Sequence, residues 1–267
     1  MKKIFLPFLL MIFIVTGCGG EEKSEEVKST RYSGKINVGI DEDFAPMTFR
    51  DESGELVGFD IDLAKEVADR MGAKFEFKPI DWDNKREEII SGNVDMIWSG
   101  CDITDKNKEY MVFSKPYMDN RQVLMVKKNS DLNINSEYDL EGKIVGTQAG
   151  TTSEHYVNDN EDLKSSFAAF KTYSNFKEGF AALKRGEVEV LIVDEIAARY
   201  EMTKHPDAFK IFEVTVGSFT EFGIGFSKDR VELHDRIQRI FYDMIKDGTA
   251  RKISEQWFGA DLIKSHW

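Results

Sequence analysis

The chain has 267 residues, with 48 Asp and Glu against 36 Lys and Arg, and its formal charge of −12 disfavours nucleic acid as a partner. Two cysteines, Cys18 and Cys101, offer no disulfide framework, and the four histidines, His155, His205, His234 and His266, are scattered without metal-ligand spacing. No structural metal and no cofactor is expected.

The N-terminus carries Lys2 and Lys3, an apolar run over residues 4–15, and the small residues Thr16 and Gly17 before Cys18. This is the layout of an export signal, and the run is too short to span a bilayer, which takes roughly 20 apolar residues. The string Val15-Thr16-Gly17-Cys18 resembles the bacterial lipobox, which implies cleavage after residue 17 and lipidation of Cys18. Cleavage would remove two lysines and bring the formal charge from −12 to −14. Anionic lipid would repel such a chain, so the acyl group must supply the anchor. Residues 19–31 hold only Gly, Glu, Lys, Ser, Val, Thr and Arg, the composition of a flexible spacer. After it roughly 235 residues remain, enough for one large or two medium domains with real cores.

Residues 35–40 alternate as a strand, and Gly58-Phe59-Asp60 leads into Ile61, Ala64, Val67, Ala68 and Met71, an apolar stripe of helical period. Asp60 reads as its N-cap and Gly72 as its stop, and residues 74–78 form the next strand, completing a βαβ unit. A helix ending in Gly and followed by a short apolar strand then occurs twice, over residues 86–98 and 179–193. Polar residues follow each strand, Ser99-Gly100-Cys101-Asp102 in one case and Asp194-Glu195 in the other. Two similar α/β halves are implied. Ligands of open α/β sheets sit beyond the carboxyl ends of the strands, so these polar clusters mark the candidate site. Residues 143–147 form another strand, and Gly150-Thr151-Thr152-Ser153 after it offers helix N-terminal amides to an anion or serves simply as a cap. Residues 223–226 read as a strand, and two helices close the chain, one over residues 231–246 and one ending near Trp257-Phe258-Gly259.

The ordered set Val38-Gly39-Ile40-Asp41 with Phe44-Ala45-Pro46, Gly58-Phe59-Asp60-Ile61-Asp62-Leu63-Ala64, Asp81-Trp82-Asp83, Ile103-Thr104, Phe113-Ser114-Lys115-Pro116-Tyr117, Gly150-Thr151-Thr152 and Asp247-Gly248-Thr249 resembles the polar amino-acid substrate-binding proteins of ABC transporters, the bacterial extracellular solute-binding proteins of family 3. The resemblance implies an α/β, two-lobed periplasmic-binding-protein (Venus flytrap, type II) fold with two hinge strands. These should cross near residues 118–123 and 218–223. Lobe 1 would comprise residues 32–120 and 223–267 and lobe 2 residues 121–222, behind the signal at 1–17 and the lipidated spacer at 18–31.

By position in the family, Phe44 and Trp82 are the implied aromatic walls of the ligand site and Asp194 the carboxylate for an ammonium. Ser99 and Gly100 meet the ligand, and Thr152 with Ser153 meets its α-carboxylate. Taken alone, Phe44 and Trp82 read equally as core aromatics and Asp194 as a helix N-cap.

Two positions depart from the family pattern. Asn107 stands where an Arg usually forks onto the ligand α-carboxylate, and Asp102 where a small hydroxyl residue is usual. A neutral amide does not reproduce a bidentate guanidinium contact. Asp41 aligns with the position that holds a side-chain cation in basic-amino-acid binders, and Asp41, Asp102 and Asp194 together favour a cation. The implied ligand is a basic amino acid or an amine lacking the α-carboxylate, with Lys106, Arg86 or Arg121 as possible substitutes for the missing Arg.

The expected protein is a monomeric, non-enzymatic receptor held on the extracytoplasmic face of the cell membrane, closing on its ligand and handing it to the membrane subunits of an ABC permease. The competing classes are a dehydratase-like enzyme on the same fold and a sensing module for a signalling partner.

Overall fold

The computed structural model describes residues 34–265; Cys18, the spacer and His266 lie outside the described residues. The chain opens on β1 (Lys35–Ile40), then a small antiparallel sheet of β2 (Asp43–Phe44), β3 (Thr48–Arg50) and β4 (Leu56–Val57) leads to α1 (Phe59–Met71). The predicted stripe Ile61, Ala64, Val67, Ala68 and Met71 is buried, and Gly72 ends the helix in the left-handed conformation. Asp60 is not the N-cap: the cap is Gly58, and Asp60, one residue inside the helix, turns its carboxylate into the core.

β5 (Lys74–Pro79), α2 (Lys85–Ile90), β6 (Met96–Asp102), α3 (Asp105–Lys108) and β7 (Met111–Phe113) follow, then the long β8 (Met118–Lys127). The polar cluster after the predicted strand is itself strand. β6 runs on to Asp102 because Cys101 and Asp102 pair with Gly223 and Phe222.

The second half repeats the scheme with β9 (Ile144–Gln148), α4 (Thr152–Asp159), α5 (Glu161–Ser166), β10 (Ala169–Tyr173), α6 (Phe176–Arg185), β11 (Val190–Asp194) and α7 (Glu195–Lys204). β12 (Phe209–Ser227) returns across the molecule to α8 (Val231–Lys246) and α9 (Thr249–Phe258). α8 buries Leu233, Ile237, Phe241 and Met244, one helical face at spacings of three to four, and each such side chain contributes about 1.5–3 kcal/mol by leaving water.

The strand order of the main sheet is β10-β9-β11-β8-β12-β6-β1-β5, with β7 alongside β12. Each end is parallel, β1 with β5 and β6, β9 with β10 and β11, as βαβ crossovers require. The middle is antiparallel: β8 and β12 pair with each other, β11 joins β8, and β6 joins β12. The result is two α/β lobes joined by two strands, the type II architecture. The predicted crossings fall where Thr220, Glu221 and Phe222 face Asn120, Asp119 and Met118. The carboxyl ends of β1, β6, β9 and β11 bring Asp41, Asp102, Gln148 and Asp194 to one cavity between the lobes.

Candidate functional site

The cavity encloses about 400 Å³ of non-atom space, open solvent included, and is lined by residues of both halves, among them Asp41, Phe44, Trp82, Lys85, Gly100 and Asp102. Asn107, Gln148, Gly150, Thr151, Thr152, His155, Phe176 and Asp194 complete the wall.

The aromatic wall is set by local geometry. Asp81 caps the turn Trp82–Asn84 by accepting from Asp83 N at 3.2 Å, which holds the Trp82 ring at the cavity with 8 % of its surface exposed. Phe44 lies 6.0 Å from Phe176 and 6.4 Å, edge-on, from Phe222. It also lies over Gly100, whose φ is +52° and where a Cβ would come within 2.4 Å of Phe44 Cε1, so the approach requires glycine.

At one end of the cavity stands Asp41. Its Oδ1 accepts from Asp43 N at 2.9 Å and its Oδ2 from Gln148 Nε2, across the cleft, at 2.7 Å. Burial raises its carboxyl to about 6 despite these two donors.

At the other end are Asp102 and Asp194, bridged by the amide of Asn120, which donates to both. Asp102 also accepts from Thr220 Oγ1 at 2.7 Å and from Thr152 Oγ1, in the opposite lobe, at 2.5 Å. Asp194 accepts from Gln122 Nε2 at 2.6 Å. It occupies the cap position of α7 yet makes no side-chain cap bond, because Asn120 and Gln122 hold its carboxylate. Burial, then the neighbouring charge of Asp102, pushes Asp194 up to about 7, and burial raises Asp102 as well. Two like charges in a dry site titrate as a pair.

Against three carboxylates the lining offers one ammonium, Lys85, 4 % exposed and 5.1 Å from the centre of the Trp82 ring. It donates to Trp82 O at 3.2 Å and to Gly150 O at 2.5 Å, and burial lowers its pKa. Gly150 sits tight against this corner: at φ +70°, a Cβ there would meet Asp83 Cα at 2.6 Å. His155 is held neutral, its pKa lowered to about 4 by burial and by the positive charges of Lys106 and Lys85.

Of the ten predicted site residues the structure brings eight to the cavity wall. Ser99 and Ser153 are fully buried one layer behind it. Ser99 lies on β6 between Gly100 and Trp98 and points away from the face that carries Gly100 and Asp102, as strand alternation demands. Its Oγ accepts from Asp41 N at 3.1 Å and meets Thr48 Oγ1 at 2.5 Å, which fixes the Asp41 backbone. Ser153 points inward and donates to Gln122 Oε1 at 2.5 Å, steadying a donor to Asp194.

Asn107 lines the cavity with its amide engaged at both ends, Nδ2 to Asp102 O at 2.9 Å and Oδ1 accepting from Tyr110 OH at 2.7 Å. None of the suggested substitutes for the missing Arg lines the cleft. Arg121 pairs with Glu195 at 2.5 Å and with Glu213; Arg86 pairs with Glu109 at 3.7 Å over the Tyr110 ring; Lys106 is exposed. The lining residues absent from the predicted set are Lys85, Gln148, Gly150, Thr151, His155 and Phe176. Gln148 had a usable signal, since it ends a strand at the sheet edge where ligands bind. Among the described residues no group of three or more His, Cys, Asp or Glu is arranged to hold a metal ion.

Residues 36–260 match the family described as bacterial extracellular solute-binding proteins, family 3. The L-cystine-binding protein TcyJ of Escherichia coli (strain K12) is 28 % identical over 96 % of this chain and 95 % of its own length. Two solved structures are similar in sequence and fold. An ABC uptake transporter substrate-binding protein from Streptococcus pneumoniae with bound histidine has a TM-score of 0.80 at 35 % identity, covering 86 % of this chain and 94 % of that one. An ancestral arginine-binding protein bound to arginine has a TM-score of 0.79 at 40 % identity, covering 85 % and 99 %.

Proposed function

Because the chain belongs to the bacterial extracellular solute-binding proteins, family 3, we propose that it is the lipid-anchored receptor of an ABC importer and that it binds a cationic amino acid or related amine between its lobes. The observation that carries the ligand class is the charge balance of the cleft, Asp41, Asp102 and Asp194 against Lys85 alone. A buried carboxylate without a cation is costly, and its raised pKa measures that cost. A ligand ammonium set between Asp102 and Asp194 relieves their repulsion, and Phe44 and Trp82 offer it apolar and π surface. The arginine and histidine seen in the two similar structures are in keeping with a nitrogen-rich ligand.

Closure is the selecting step. Gln148 to Asp41, Thr152 to Asp102 and Lys85 to Gly150 are bonds between the lobes, so the closed form completes the site from both sides. A receptor held at the membrane through Cys18 is presented to its permease at raised effective concentration. The role is binding without catalysis, as in the relatives named above.

Calorimetry of the purified protein with lysine, arginine, ornithine, diamines, glutamine and glutamate tests the ligand class. Cations bind and glutamate does not; tight binding of glutamine or glutamate with no response to any cation would overturn the proposal. Replacing Cys18 by Ala tests the anchor: the protein leaves the membrane fraction, and unchanged membrane association would contradict lipidation.

A further inference from the structure

We infer that the preferred ligand carries no free α-carboxylate and is a diamine, or an amino acid whose carboxylate is absent or masked as an amide. This inference rests on the cleft being a cation site.

The place in the cavity suited to an anion is the start of α4, which presents the Thr152 hydroxyl, while the first-turn amide of Glu154 is already taken by the cap residue Thr151 at 3.3 Å. The chain fills it with a carboxylate of its own. Asp102 Oδ2, reaching over from the opposite lobe, accepts from Thr152 Oγ1 at 2.5 Å, while its Oδ1 accepts from Thr220 at 2.7 Å and from Asn120 at 3.1 Å. A ligand carboxylate entering there would lie against Asp102 in a site already shared with the charge of Asp194. Like charges in a water-poor site repel strongly.

The other polar groups nearby offer a ligand carboxylate little. Both ends of the Asn107 amide are engaged, by Asp102 O and Tyr110 OH. Gly150 N, beside the same helix start, donates to Glu154 Oε2 at 2.7 Å. Lys85 donates to two carbonyl oxygens, Trp82 O and Gly150 O, and is 4 % exposed. His155 is neutral and brings no charge. What remains open to a ligand is acidic at both ends, Asp41 at one and Asp102 with Asp194 at the other. That arrangement matches two separated positive groups.

The test is calorimetry of the purified protein with matched pairs that differ only in the carboxylate: arginine and agmatine, lysine and cadaverine, lysine and lysinamide. In each pair the member without the carboxylate binds at least tenfold tighter. Asp102→Asn, with Asp102→Ser as a second variant should the first fold poorly, shrinks that ratio at least tenfold by freeing Thr152 for a ligand carboxylate. Equal or tighter binding of the amino acid in the wild type, or a ratio unmoved in a folded Asp102 variant, overturns the inference while leaving the cation site standing. Binding of neutral amino acids with no response to either member of any pair removes the cation site itself, and the inference with it.

Discussion

The two ends of the cleft solve the burial of charge differently. Asp41 is alone at its end and receives one bond at each oxygen, from Asp43 N and from Gln148. At the other end Asp102 and Asp194 share the single amide of Asn120, and the charge of each raises the cost of ionising its neighbour. Both ends keep a deficit, Asp41 standing at about 6 and Asp194 at about 7, and the paired end keeps the larger one, which a proton or an added cation removes. One residue type thus gives one end that orients a ligand and another that supplies most of the attraction.

If that division is right, the substitutions rank in order. Asp194→Asn weakens a cationic ligand most, by about 2–4 kcal/mol, since it removes one of a desolvated charge pair. Asp41→Asn costs less, toward the low end of the about 1.5–3 kcal/mol of one hydrogen bond to a charged group. Titration calorimetry measures both, and a larger loss at Asp41 would reverse the assignment of the two ends.

Stability against pH separates the ends without any ligand. Asp41, at about 6, and Asp194 and Asp60, at about 7, stand above the 3.8 of an ordinary Asp. A carboxyl raised by folding binds its proton more tightly in the native state, so its contribution is fully present below pH about 4 and is lost as pH rises through the folded value. The unliganded protein therefore melts higher at pH 5 than at pH 8. Asp194→Asn flattens the curve near pH 7 and Asp41→Asn near pH 6. A wild-type melting temperature that rises from pH 5 to pH 8 would contradict the burial of these groups in their charged form.

The smallest effect belongs to the hinge and touches both ends alike. Asp119 and Glu221 face each other across β8 and β12, and Lys264 bridges them at 2.5 and 2.6 Å while its backbone N–H donates to Tyr117 O at 2.9 Å. Lys264→Ala leaves two like charges opposed on the crossing strands. Because the bridge is partly exposed, the change in ligand affinity stays below about 1 kcal/mol, with the ratio between ligands unaltered. A changed ratio in a ligand panel would show that the tail acts on the site and not on the hinge.

Much of this frame is legible in the residues. The stripe of α1, the α8 face and the Gly stops at Gly72 and Gly186 declare themselves because local period and backbone handedness decide them. The ordered motifs then single out Asp41, Phe44 and Trp82, and the polar clusters at the strand ends single out Asp102 and Asp194. What stays hidden depends on the other half of the chain. Lys85 reads as a surface lysine until its ammonium donates to Gly150 O, 65 positions away, and Gln148 acquires its role only by reaching Asp41 across 107 positions. β12 shows the same limit: register shifts between Phe212 and Val216 and between Val216 and Thr220 break its alternation, so only its last residues read as strand. Asp60 misleads for a related reason, being a good capping residue by type. Its carboxylate instead accepts from Gly100 N at 2.7 Å and Tyr117 OH at 2.9 Å, fixing the strand end that carries the site.

The central claim is that a cation neutralises these buried carboxyls, and proton release on binding tests it most directly. Calorimetric titration of one cationic ligand at pH 6.5, repeated in buffers of different ionisation enthalpy, counts the protons exchanged. With Asp41 at about 6 and Asp194 at about 7 before binding, protons are released on binding, and the net release shrinks toward zero by pH 8.5. Binding that takes up protons at pH 6.5, or exchanges none, would contradict it.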